Sequence, residues 1–112
     1  MNNPILDKTF QFSLDIIAFC EILEENKKFV VSNQLLKSGT SIGANVIEAQ
    51  NAESKADFIH KMKIAAKEAN ESNYWLRICK FAPSYPDSDI LLEKINEIGK
   101  ILTKIIATSK SK

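Results

Sequence analysis

Residues 54–81 read SKADFIHKMKIAAKEANESNYWLRICKF. Phe58, Met62, Ala65, Ala69, Ser72, Leu76 and Cys79 recur in it at alternating spacings of four and three, the repeat of one buried helix face. Ser54 opens the segment as an N-cap, and Asp57 three residues on completes an imperfect capping box. At 1.5 Å per residue the helix spans ~42 Å. A helix this long in a short chain needs partners of similar length, and the flanking sequence supplies three. Residues 6–25 carry Phe12, Ile16, Phe19 and Leu23, with Leu14 and Ile17 widening the stripe. Residues 32–51 form the second helix, with Ser32 as its cap, after Asn26, Lys27 and Lys28 interrupt the pattern. Phe29, Val30 and Val31 between them must be tucked under the bundle or covered by another subunit. Residues 88–108 repeat Leu91, Ile95, Ile98, Leu102 and Ile105 after the turn at Pro83, Tyr85, Pro86 and Asp87, and Ser109 to Lys112 fray.

Four long helices with short links predict an all-α, antiparallel up-down-up-down four-helix bundle, one domain over residues 1–112. Composition agrees. Of 112 residues only three are Gly and three Pro, 45% are hydrophobic and 26% charged, which suits a globular helical chain with few turns. Fifteen basic and fourteen acidic residues leave a net charge of +1, so no strongly cationic footprint covers the whole chain. The longest apolar run, Ile16 to Cys20, is far too short for a bilayer, and Asp7 and Asp15 interrupt any signal-peptide core. A cytoplasmic location is the expectation. Cys20 and Cys79 have no metal-spaced partner and read as small core residues.

The second helix carries an unusual stripe. Gln34, Ser38, Ser41, Asn45 and Glu48 sit at core-like spacing beside the apolar Leu35, Ile42, Val46 and Ala49. If the hairpin turns near residues 52–54, facing positions sum to about 109, which sets Glu48 against Lys61, Ser41 against Glu68, Ser38 against Glu71 and Gln34 against Trp75. Such pairs make a structural polar seam that fixes helix register. The other reading of the same stripe is a solvated face. Gly39 and Gly43 lie one turn apart inside this helix, at ~1 kcal/mol each relative to Ala, and close approach of the third helix would compensate.

Several chemical motifs fail on context. Gly39-Thr40-Ser41-Ile42-Gly43 fits the G-x-S-x-G pattern, but a nucleophile elbow needs a strand and a large sheet. Asp57 and His60 follow Ser41 in triad order, yet one His a turn after an acid is a commonplace arrangement. A di-metal bundle needs two Glu-x-x-His units, and this chain has a single His. No catalytic residue, metal, cofactor or small-molecule substrate is therefore expected. One outer stripe has binding chemistry: Lys63, Lys67, Asn70, Tyr74 and Arg77, with Lys55 and Lys80 nearby, join cations to an aromatic ring that can stack a base. Residues 54–81 hold six basic and three acidic residues, a local balance of +3 within a nearly neutral chain. A solvated helix face is the alternative.

Residues 34–76 resemble the signature of the four helix bundle proteins also called 23S rRNA-intervening-sequence proteins. The resemblance rests on Gln34, Ser38, Ser41-Ile42, Asn45, Glu48-Ala49, Ser54, Phe58, Lys61, Ala65, Glu68, Glu71 and Tyr74-Trp75-Leu76. Lys37 and Ser72 depart from it, where Arg and Thr are usual. It implies a four-helix bundle, commonly a homopentamer, with no established enzymatic activity. Some members are encoded inside insertions in large-subunit rRNA genes, and the family is similar to accessory proteins of diversity-generating retroelements, which associate with nucleic acid and a reverse transcriptase. The expected function is a non-enzymatic, homo-oligomeric scaffold contacting RNA or a nucleic-acid enzyme. The alternative is a protein–protein adaptor without nucleic acid.

Overall fold

The computed structural model describes residues 3–112 and contains four helices: α1 Pro4–Glu25, α2 Phe29–Gln50, α3 Lys55–Phe81 and α4 Asp89–Lys110. Each helix packs on its neighbours in sequence, and α1 closes the ring against α4. Partner numbers run in opposite directions across every seam. Lys61 meets Glu48 and Ser72 meets Ser38 between α2 and α3. Asn73 meets Asn96 and Lys80 meets Asp89 between α3 and α4. Lys8 meets Glu97 and Lys94 meets Asp15 between α1 and α4, so the bundle is antiparallel throughout.

The core follows the predicted stripes except at Leu14 and Ile17, which do not widen the α1 stripe but stay 45 and 42% exposed. Phe12, Ile16, Leu23, Leu35, Ile42, Val46, Met62, Leu76, Ile95, Ile98 and Leu102 are all fully or almost fully buried. Burial of such side chains contributes about 1.5–3 kcal/mol each and carries most of the stability of helices that are marginal alone. Cys20 and Cys79 are buried as free thiols. Burial raises the pKa of both, and Cys79 reaches about 11, with Cys20 nearby as the next cause. Neither thiol is poised as a nucleophile near neutral pH.

Helix ends differ from expectation in several places, and α1 begins at Pro4, ahead of the expected residue 6. The second helix begins at Phe29, not Ser32. Lys27 takes the left-handed conformation at φ 60°, its N–H bonding the Glu24 carbonyl and that of Lys28 bonding the Leu23 carbonyl. This Schellman turn ends α1 so tightly that α2 starts two residues later. Val31 is consequently buried while Phe29 and Val30 stay exposed. Ser32, fully buried, lies with Oγ 3.2 Å from the Cys20 carbonyl and 3.1 Å from Glu24 Oε2, where it ties α2 to α1. Ser54 does cap α3, accepting from the Asp57 N–H at 3.0 Å, and Asp57 accepts in return from Glu53. Ser88 flanks α4 without capping it, because its hydroxyl is spent on the Leu76 carbonyl at 2.7 Å. Finally, α4 stays helical to Lys110, beyond the expected end at residue 108.

Gly39 and Gly43 face α1, not α3. A Cβ at Gly39 would lie 2.9 Å from both Cγ atoms of Ile16, and one at Gly43 would lie 3.3 Å from the Thr9 carbonyl oxygen. On α1, Thr9 and Ser13 hold their own hydroxyls against the Ile5 and Thr9 carbonyls at 2.7 and 3.0 Å, leaving no polar group unsatisfied in the contact.

Candidate nucleic-acid interface

The α2/α3 seam is polar at its surface and buried at one point. Ser72 Oγ donates to Ser38 Oγ at 2.9 Å, and Ser38 donates to the Leu35 carbonyl at 3.4 Å, with both serines fully buried. The expected pair was Ser38 with Glu71. A hydroxyl can be buried at the cost of one hydrogen bond, whereas a carboxylate there would lose its hydration, so Glu71 turns outward and accepts from Trp75 Nε1 at 3.2 Å. Glu48 and Lys61 pair as expected at 3.2 Å. Ser41 does not meet Glu68, because its hydroxyl donates to the Lys37 carbonyl on its own helix at 2.6 Å. Asn45 likewise donates back to the Ser41 carbonyl, while Gln34 is exposed with no bond to Trp75 and Glu68 is half-buried with no side-chain hydrogen bond. The seam is thus one buried serine pair and one surface ion pair, flanked by solvated polar groups.

The triad order of Ser41, Asp57 and His60 has no spatial counterpart. In the observed register His60 faces residue 49, about 12 Å along α2 from Ser41. Asp57 is engaged at the start of α3. Among the described residues no group of three His, Cys, Asp or Glu side chains gathers as a metal site.

The basic stripe divides into two sets. Lys67 and Tyr74 project outward from α3, and Tyr74 packs edge-on against Trp75 at 5.3 Å while remaining 57% exposed. Lys55 lies at the start of the helix and its ammonium donates to the Lys112 carbonyl. Asn70, Arg77 and Lys80 instead flank the groove between α3 and α4. Lys80 pairs with Asp89 at 3.3 Å and sits 5.8 Å from the ring of Phe81, which is 74% exposed. Lys63 reaches the far end of α4 and lowers the pKa of Lys110, by direct side-chain contact first and like-charge repulsion second.

That groove contains residues the stripe does not include. Asn70, Asn73, Asn96, Lys100, Thr103 and Lys104 surround a recess of about 650 Å³ that no carboxylate lines. A second recess of about 670 Å³, lined by Arg77, Lys80, Phe81 and also by Asp89 and Glu93, continues it past the Asn73–Asn96 amide bridge at 3.0 Å. Sequence reading took from α4 only its aliphatic stripe. The signal was there in Asn96, Lys100, Thr103 and Lys104, which repeat at four, three and one on the face beside that stripe.

A model of the 23S rRNA-intervening sequence protein family matches residues 1–104 of the chain. A solved structure from Bacteroides thetaiotaomicron VPI-5482, described as a protein with unknown function from the S23 ribosomal protein family, is similar with 42% identity and a TM-score of 0.87. The match covers 91% of this chain and 97% of that one. No curated protein matched. No helix among the described residues is long and apolar enough to cross a membrane.

Proposed function

The chain belongs to the 23S rRNA-intervening sequence protein family, and from that premise we propose a non-enzymatic, oligomeric scaffold that contacts RNA through its α3 basic side. One observation carries the proposal: most of the unpaired cations lie on α3 and α4. Lys8 and Lys94 pair with carboxylates across the α1/α4 seam, and Lys61 does so across α2/α3. Among the described residues Lys63, Lys67, Arg77, Lys100, Lys104 and Lys110 on α3 and α4 form no ion pair, whereas Lys80 pairs with Asp89 across α3/α4 and the unpaired cations Lys27, Lys28 and Lys37 lie elsewhere. Unpaired cations gathered on one side attract phosphate even where net charge is near zero. A homopentamer, as the family resemblance implies, multiplies such contacts by repeating the side around a ring.

The test is binding of a structured RNA hairpin at several salt concentrations. The proposal expects binding at low salt that weakens steeply as salt rises and drops when Lys63, Lys67 and Arg77 are changed to Ala. Binding absent at low salt, or indifferent to those changes, overturns it.

A second reading is favoured by the opposite flank. Phe10, Leu14, Ile17 and Ile47 are 61, 45, 42 and 54% exposed along α1 and α2, an apolar flank suited to self-association or a protein partner. As a protein–protein adaptor the chain would use this flank and bind no nucleic acid. Light scattering separates assembly from its absence: a stable monomer at micromolar concentration removes the ring.

A further inference from the structure

We propose that the α3/α4 groove is a binding site for single-stranded nucleic acid, with phosphates held along Lys63, Lys100, Lys104 and Arg77 and a base stacked on Phe81. The proposal rests on the RNA reading above and assigns it a site. Three independent features of the groove converge on this ligand. The first is charge. The first recess holds Lys100 and Lys104 with no carboxylate, and Lys63, seven residues before Asn70 and so on the same face of α3, extends its positive charge. Like charges held together without counter-charges gain from a polyanion that spans them.

The second feature is the hydrogen-bonding lining. Asn70 presents its amide, Asn73 and Asn96 keep the Oδ1 and Nδ2 that their mutual hydrogen bond at 3.0 Å leaves over, and Thr103, donating to the Gly99 carbonyl at 2.9 Å, keeps an acceptor, groups that bond base edges and sugars. Gly99 faces open space in the recess, since a Cβ there would meet nothing within 4 Å. The third is Phe81, 74% exposed at the end of the second recess beside Lys80. An exposed ring stacks an unpaired base, and a duplex offers no such base; because Asp89 pairs with Lys80 and Glu93 also lines this recess, the ring and not a free cation carries this end of the track. From Lys63 to Lys80 the track runs about 26 Å along α3.

Fluorescence anisotropy on the full chain tests this, with a labelled single-stranded RNA of about 12 nucleotides, the DNA strand of the same sequence, and an RNA duplex as probes. With four phosphate contacts the single-strand affinity falls about fiftyfold between 50 and 200 mM salt. Lys100→Glu and Lys104→Glu each lower the salt slope by about 0.7, whereas Lys37→Glu on α2, an equal change of net charge, leaves it unaltered. Phe81→Ala weakens single-strand binding about tenfold. Gly99→Leu projects a side chain into the recess and lowers single-strand affinity severalfold while the protein melts no lower than the parent. Duplex binding as tight as the single strand, equal loss with Lys37→Glu, an inert Phe81→Ala, or undiminished binding by Gly99→Leu overturns the groove. A poly-glutamate that competes as well as RNA at equal charge overturns it too. RNA bound more tightly than DNA supports the groove and the RNA reading together. DNA bound equally or more tightly supports the groove and overturns the RNA reading. A hairpin that binds through Lys63, Lys67 and Arg77, with no single-strand binding, overturns the groove alone; no binding of any probe overturns both.

Discussion

The α1/α2 and α3/α4 seams are both made by antiparallel neighbours, yet the first is nearly closed, with a recess of about 210 Å³, and the second open, with recesses of about 650 and 670 Å³. In the closed seam Gly39 brings α2 so near α1 that a single added carbon would collide with Ile16, and Thr9 and Ser13 turn their hydroxyls onto their own helix. In the open seam Gly99 faces empty space, and amides and lysines surround a recess. Glycine inside a helix costs ~1 kcal/mol relative to Ala in both cases. Close packing offsets that cost in the first, and nothing within the chain offsets it in the second. On the proposed reading, this residue, which forgoes stability without a packing gain, lies on the ligand-facing side.

The comparison breaks first at Gly39. Gly39→Ala is expected to destabilise the protein by about 2 kcal/mol in urea unfolding, because the cost of overpacking Ile16, which is fully buried and branched at Cβ, exceeds the helix-propensity gain. A stabilised Gly39→Ala variant would show that the seam is not tight. At the neighbouring α2/α3 seam, Ser38→Ala strands the Ser72 hydroxyl and costs about 1–2 kcal/mol, while the Ser38→Ala, Ser72→Ala double variant recovers much of it. Equal losses in single and double variants would remove the serine pair as a unit.

Gly99→Ala sharpens the contrast with opposite sign, and thermal unfolding is expected to show a gain of about 0.5–1 kcal/mol. A loss would mean that the groove closes in solution. The smallest effect belongs to Glu48 and Lys61, whose exposed pair should give a coupling of about 0.5 kcal/mol or less in a double-mutant cycle, screened by salt. A coupling above 1 kcal/mol would restore the ion pair as a register device.

The four helices were legible because their apolar spacings hold over many turns, and the core residues lie where those spacings put them. The start of α2 was not, since the turn that allows it rests on Lys27 in a conformation usually given to Gly or Asn. Periodicity also shows that Gly39 and Gly43 share a face without saying which neighbour they meet. Small residues on α3 suggested that helix, but the Thr9 and Ser13 positions on α1, polar by composition, are the ones that approach. The seam register was correct to within one residue: Ser38 meets Ser72 instead of Glu71, a shift decided by the cost of burying a carboxylate. Of the basic stripe, the α3 half was readable as a single helix face. Its completion by Lys100, Lys104 and Asn96 depends on the α3/α4 pairing, which the composition of neither helix encodes alone.

The central claim is that the open seam is the side that faces nucleic acid and the closed seam takes no part in binding it. Titrating single-stranded RNA into isotopically labelled protein and following its amide resonances tests this directly. The account predicts shifts at the backbone of Gly99 and the side-chain amides of Asn70, Asn73 and Asn96, with Gly39 and Gly43 unmoved. Shifts concentrated along α1 and α2, or none at saturating RNA, would contradict it.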